Sequence, residues 1–189
     1  MKYFIFLVFT KFLLSQNTAY EKFQEYVQSP NGCVLRIEYF QGYFDEEVVS
    51  SGVLYIKDKM YVYDNEKQYI KYEDGLITTI NKSIKQVVYD SINKNELTIF
   101  DILTGNNDSI HIDGEIIEND QIRIFFYVDL WEIKGSIWIS QQDGSPEKVT
   151  FVQDDNLNIY IDIKSIANRA KLNPPKYDIS DYEVINLIE

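Results

Sequence analysis

Residues 141–163, QQDGSPEKVTFVQDDNLNIYIDI, turn once at Asp143 and Gly144 and otherwise alternate apolar and polar positions. That is the period of a strand with one buried face. The same alternation fills most of the chain. CVLRIEYFQGYF (33–44), SGVLYIKDK (51–59), MYVYDN (60–65), KQYIKYEDG (67–75), LITTIN (76–81) and KQVVYDS (85–91) follow one another with turn residues between them. This predicts a meander of antiparallel strands. A second run reads SIHIDGEIIEN (109–119), QIRIFFYVDL (121–130), WEIKGSIWIS (131–140), EKVTFVQD (147–154) and LNIYIDIKSI (157–166). The last segment, NPPKYDISDYEVINLIE (173–189), alternates only weakly after its two prolines.

Two stretches depart from the period of two. In residues 17–28, Tyr20, Phe23, Tyr26 and Val27 fall on one helical face, and Thr18 and Glu21 have the spacing of a capping box. In residues 95–105, Leu97, Phe100 and Leu103 recur every third position, with Asn95 placed as the cap and Gly105 as the stop. The expectation is one large antiparallel sheet with two helices against it. Strands this many must curl or close. A packed sandwich and a half-open barrel with an internal cavity both satisfy the periodicity.

The N-terminus reads differently again. Lys2 precedes an apolar run from Tyr3 to Leu14, broken only by Thr10 and Lys11, and small or polar residues follow at 15–19. The run is too short to span a membrane and has the form of a cleaved secretory signal over residues 1–16, the alternative being a buried N-terminal helix. The remaining residues, 17–189, are the size of one domain. The single cysteine, Cys33, lies far beyond the apolar run, so no lipid anchor is expected there and no internal disulfide can form. In a bacterium with two membranes, such a chain is a soluble periplasmic protein.

Charge narrows the partners. The chain carries 18 Lys and Arg against 30 Asp and Glu, a formal net charge of −12, with no basic stripe. Nucleic-acid binding is excluded as the main role, because it depends on neutralising phosphates with Lys and Arg. An aromatic share of 15% suits the half-buried surface of strands.

Candidate chemistry is sparse. His111 is the only histidine, and no G-x-S-x-G elbow, phosphate-cradling glycine loop or C-x-x-C pair accompanies it. Asp108, His111, Asp113 and Glu115 lie close in sequence and are of metal-ligating type. On a strand, however, His111, Asp113 and Glu115 alternate with Ile110, Ile112 and Ile116, the pattern of a solvated face opposite a buried one. Glu46 and Glu47, or Asp154 and Asp155, are adjacent, so on a strand they point to opposite faces and cannot share a proton. The sequence therefore predicts no catalytic residue, no metal and no cofactor, and points to binding.

The order of elements carries a further signal. The N-terminal signal and helix, YFQ (39–41), SGVLYIKDKMYVY (51–63), DG (74–75), ILTGN (102–106), QDGSPEKVTFVQDDNLNIYIDI (142–163) and YDISDYEVI (177–185) together resemble the periplasmic outer-membrane lipoprotein carrier (LolA) family. The resemblance implies a mainly β fold of the α+β class, an unclosed antiparallel β-barrel, or half-barrel, with helices covering an apolar cavity. It implies a monomer whose partners are acylated lipoproteins, an inner-membrane lipoprotein-releasing ABC transporter and an outer-membrane acceptor, with no cofactor. On that reading the acyl-chain cavity is expected at Phe40, Leu54, Tyr61, Tyr63, Phe100, Leu103, Phe126, Trp138 and Phe151, with Leu97, Phe100 and Leu103 on the lid helix. Tyr61 and Tyr63 share one strand face, whereas Trp138 shares its face with Ser136 and Ser140. Where the family has an Arg-Pro pair whose arginine bonds the lid, this chain has Asp58 and Lys59, leaving Lys57 or Lys59 as stand-ins. Two other roles are compatible with the same strands: a module that binds or senses another lipid or a peptide, and a ligand-free secreted structural β-domain.

Overall fold

The computed structural model describes residues 18–43, 46–91, 98–105, 110–129, 132–154, 157–165 and 173–188. The proposed signal, residues 1–16, lies outside them, as do Asn95, Leu97 and Asp108.

The strands are β1 (Cys33–Tyr43), β2 (Glu46–Lys57), β3 (Met60–Asn65), β4 (Gln68–Glu73), β5 (Leu76–Asn81), β6 (Gln86–Ser91), β7 (Ile110–Glu118), β8 (Gln121–Val128), β9 (Ile133–Ser140), β10 (Pro146–Asp154), β11 (Leu157–Ser165) and β12 (Glu183–Asn186). All twelve belong to one sheet, ordered β12-β6-β5-β4-β3-β2-β1-β11-β10-β9-β8-β7. Two meanders, β1 to β6 and β7 to β11, are thus joined along a single antiparallel seam, where Leu35 to Tyr43 face Ser165 to Leu157. The outermost strands β12 and β7 do not pair with each other, so the barrel is unclosed. The expected all-antiparallel sheet needs one correction: β12 runs parallel to β6, with Val184 opposite Val87. The two prolines, Pro174 and Pro175, precede that strand, and the chain carries Tyr177 onto the outer face before β12 begins.

Both helices lie on the inner face. Helix α1 (Ala19–Val27) starts at a complete capping box, with Thr18 Oγ1 accepting from Glu21 N–H and the Glu21 carboxylate accepting from Thr18 N–H at 2.7 Å. Its Phe23, Tyr26 and Val27 are buried, as the helical spacing requires. Helix α2 (Ile99–Thr104) is shorter than predicted. Its cap is Thr98 rather than Asn95, because Thr98 and Asp101 satisfy each other's backbone donors, and Gly105 ends it in the left-handed region at φ 63°.

The core fills the inner face with Leu35, Leu54, Ile56, Tyr61, Ile124, Phe126, Ile137, Ile139 and Val149, against Phe23, Val27, Ile102 and Leu103 of the helices. A smaller apolar group, Val62, Ile80 and Val87, points to the outer face and is also buried. Tyr177 lies on this same face: its hydroxyl donates to Asp64 Oδ1 at 2.8 Å, its ring meets Tyr69 edge-on, and Lys82 Nζ sits 4.5 Å from the ring centroid.

Strand β7 departs from the predicted alternation. Ile112 and Ile116 are 39% and 42% exposed rather than buried. The strand lies at an edge, and its register slips between Ile112 and Gly114, so that Ile116 comes opposite Arg123 while Glu115 comes opposite the inward-facing Ile124. Turned inward, the Glu115 carboxylate accepts from the backbone N–H of Ala19 at 3.0 Å, the first turn of α1.

Candidate functional site

Where the seam between the two meanders passes beneath α2, the inner face does not fill. A cavity of about 390 Å³ remains. Its floor is Ile37 and Tyr39 of β1 with Ile159 and Ile161 of β11, and its sides are Val48, Ile70, Ile133 and Phe151. Ile99 and Phe100 of α2 form its roof, and Ser50, Tyr63, Asn65 and Gln68 stand at one end. These residues come from both meanders and from α2, so the cavity exists only once the seam has formed.

The roof is tied down by a relay of side chains. Thr98 Oγ1 donates to Asp101 Oδ2 at 2.7 Å, which leaves the Tyr61 hydroxyl to donate to Thr98 Oγ1 at 3.2 Å. The Phe100 ring rests on Tyr61 and Tyr63, with centroids 5.1 Å away in each case, and Tyr61 stacks on Tyr72. From α1, Gln24 and Gln28 each donate a side-chain N–H to the Gly105 carbonyl, at 2.8 and 3.0 Å, closing the C-terminal end of α2. Lys57 and Lys59, the candidate stand-ins for a lid arginine, are exposed beside Asp58 in the hairpin joining β2 to β3. Among the described residues, the bonds that hold the roof come from Tyr61 and the two glutamines. Burial raises the Tyr61 phenol above its usual 10.0, so it stays protonated and able to donate.

One end of the cavity is polar and uncharged. Asn65 Nδ2 donates to Ser50 Oγ and to the Tyr63 hydroxyl, both at 3.2 Å, and those two hydroxyls are 3.3 Å apart. The Asn65 side-chain carbonyl accepts from the backbone N–H groups of Lys67 and Gln68, which fixes the amide's orientation. Tyr39 OH donates to Gln41 Oε1 at 2.8 Å. Burial, then the neighbouring Tyr63, raises the Tyr39 phenol. Among the described residues, no Asp, Glu, Lys, Arg or His lines this cavity.

The predicted site residues divide three ways. Tyr63, Phe100 and Phe151 line the cavity. Leu54, Tyr61, Leu103 and Phe126 face inward but are packed in the solid core around it. Phe40 and Trp138 are on the opposite, outer face, which corrects their expected position. Phe40 stacks on Tyr160 with centroids 4.3 Å apart, and Trp138 lies between Arg123 at 4.6 Å and Lys148 at 5.6 Å. Strand parity is the cause: Tyr39 turns in, so Phe40 turns out, and Ile137 and Ile139 do the same to Trp138. Ile37, Tyr39, Ile159 and Ile161 were missed by sequence reasoning, although the parity of IEYF and NIYIDI marked them as one face. His111 is exposed and bonded to Asp129 at 2.6 Å. Glu115 is turned away toward α1.

No protein-family model matches the sequence, and no curated protein matches it as a relative. Solved structures do share features of the fold. One is a LolA superfamily protein from Nitrosomonas europaea, at 12% identity and a TM-score of 0.45, covering 77% of this chain and 90% of that one. A second, a conserved protein from Thermus thermophilus, shares 10% identity with a TM-score of 0.49 over 89% of this chain and 99% of its own. An outer membrane lipoprotein-sorting protein domain from Vibrio parahaemolyticus shares 8% identity with a TM-score of 0.42, over 86% and 95%. Likenesses this loose bring neither ligand nor role with them. Among the described residues no helix is long and apolar enough to cross a membrane.

Proposed function

We propose that this protein is a carrier that shields acyl chains, those of lipoproteins above all, in the cavity under α2. The observation that supports it is the lining itself: a space of about 390 Å³ walled by isoleucines and aromatic rings, with no charged side chain among the described residues. Each methylene moved from water into such a wall contributes about 0.8 kcal/mol, so about ten of them supply roughly 8 kcal/mol before the costs of association. Apolar area is enough for carriage. The chain changes where its ligand is, and breaks no bond in it. Tyr39, one of two titratable groups among the described lining residues, is held protonated by burial and does not serve as a base near neutral pH. An apolar cargo, collected from an ABC transporter in the inner membrane and passed to an outer-membrane acceptor by a soluble periplasmic monomer, belongs to the same proposal.

Displacement of a fluorescent acyl probe, read beside native mass spectrometry of the chain purified from a periplasmic fraction, tests this. The expected result is saturable probe binding and co-purifying acylated material. Phe100→Asp, which places a carboxylate in the roof, weakens binding at least about tenfold while circular dichroism retains the β signal. A chain that binds no probe and carries no lipid would make the space a packing defect of a structural domain.

A further inference from the structure

The polar end of the cavity holds one hydrogen more than its own bonds use. Asn65 contributes two N–H donors, and Ser50 and Tyr63 contribute one O–H each. Both amide hydrogens are spent on the two hydroxyl oxygens, and the 3.3 Å contact between Ser50 and Tyr63 takes one hydroxyl hydrogen. The other hydroxyl hydrogen has no acceptor within the triad, which stands at the cavity wall. The amide cannot flip to absorb it, because the Asn65 carbonyl is already committed to Lys67 N–H and Gln68 N–H.

Among the described residues, the cavity lining offers a donor but no positive charge. Lys82 Nζ lies on the outer side of the same strand, donating to the Asn65 backbone carbonyl at 2.5 Å and paired with Asp64 at 2.7 Å. A carbonyl oxygen reaching the triad is therefore satisfied by one O–H. A carboxylate in the same place leaves its charge against Ile70 and Phe100 with no counterion among the described lining residues.

We propose that the Ser50, Tyr63 and Asn65 cluster receives the uncharged carbonyl of an ester- or amide-linked acyl chain, and that the cavity selects neutral-headed amphiphiles over free fatty acids of the same length. This rests on the acyl-binding reading above and adds the chemistry of the head to it. Gln68, exposed at the mouth beside the cluster, is the position through which that selectivity can be reversed.

The test is a competition titration of monodecanoylglycerol and of decanoate against one fluorescent acyl probe, at a pH where decanoate is fully ionised. The neutral ligand is expected to bind about tenfold more tightly, the ratio that stranding one charged group in an apolar site imposes. Tyr63→Phe, which keeps the ring, reduces that ratio several-fold, and Gln68→Lys moves it toward decanoate. Equal affinities in the unaltered protein overturn the selectivity while leaving acyl binding intact. A preference that survives Tyr63→Phe together with Ser50→Ala overturns the assignment to this cluster. Failure of both ligands to displace the probe overturns the inference, and failure of the probe itself to bind overturns the carrier reading with it.

Discussion

A ring can lie flat on a sheet only where the strand beneath it has no side chain. At Gly52 an added Cβ would stand 2.5 Å from Tyr63 Cε2 and 2.7 Å from the Asp64 carbonyl, and at Gly135 it would stand 2.2 Å from Phe126 Cζ. Both glycines are notches that let an aromatic ring recline. Tyr63 consequently forms a wall of the cavity rather than filling it. Gly52→Ala is expected to destabilise the fold by about 1–3 kcal/mol and to weaken acyl-probe binding, because the displaced ring must move into the space; urea denaturation and the probe titration measure the two effects. Gly52 is visible in the sequence as a glycine within a strand, but its reason is not, since Tyr63 sits on the neighbouring strand two residues from Asn65, the direct partner of Gly52. The same limit hid the polar cluster. Ser50, Asn65 and Gln68 resemble any solvated strand residues until the register of three strands brings them together.

Helix α2 has six residues, too few to hold a helical conformation unaided. Its position depends on the Tyr61, Thr98 and Asp101 relay, which requires a protonated phenol. Unfolded tyrosine ionises near 10.0, whereas burial raises Tyr61 above that value and pushes Tyr20 up to about 12. Raised pKa values mean that the native state holds these protons more tightly. Their contribution is complete below pH 10 and is lost as the pH climbs through the native values. The melting temperature is therefore expected to fall steeply above about pH 10. In Tyr61→Phe that fall becomes shallower, while stability at pH 7 drops by about 1 kcal/mol with loss of the bond to Thr98; thermal melts by circular dichroism across the pH series test both signs. The existence of α2 was legible from its spacing. Its start was not, because Asn95 and Thr98 are both good caps and only the reciprocal bond with Asp101 decides between them. Strand β7 failed for a related reason: a period of two cannot announce the residue at which a bulge reverses it.

For the whole molecule, hairpins between neighbouring strands were readable from turns, and eleven of the twelve strands of the sheet follow from them. The distant contacts were not. Nothing local says that β1 pairs with β11, or that the segment around Tyr177 lies on the outer face and leads into a strand beside β6. That segment is fastened by Tyr177 to Asp64, by Lys82 over the Tyr177 ring, and by an ion pair from Lys85 to Asp181. Tyr177→Phe removes the bond to Asp64 and is expected to speed tryptic cleavage after the exposed Lys176 several-fold, with little change in acyl binding, since the attachment lies on the other side of the sheet.

The seam between β1 and β11 also sets an order of events in time. Its partners lie more than one hundred residues apart in the chain, whereas every other antiparallel pairing links consecutive strands. Hairpins close quickly and distant pairs slowly, because a long loop must first be brought together. Each meander is therefore able to assemble before the two meet, with Ile37 and Tyr39 on one free edge and Ile159 and Ile161 on the other. A nascent chain at that stage carries two open apolar borders in place of a cavity. On the carrier reading proposed above, an acyl chain present then would bridge the borders and act as a template for the last step of folding.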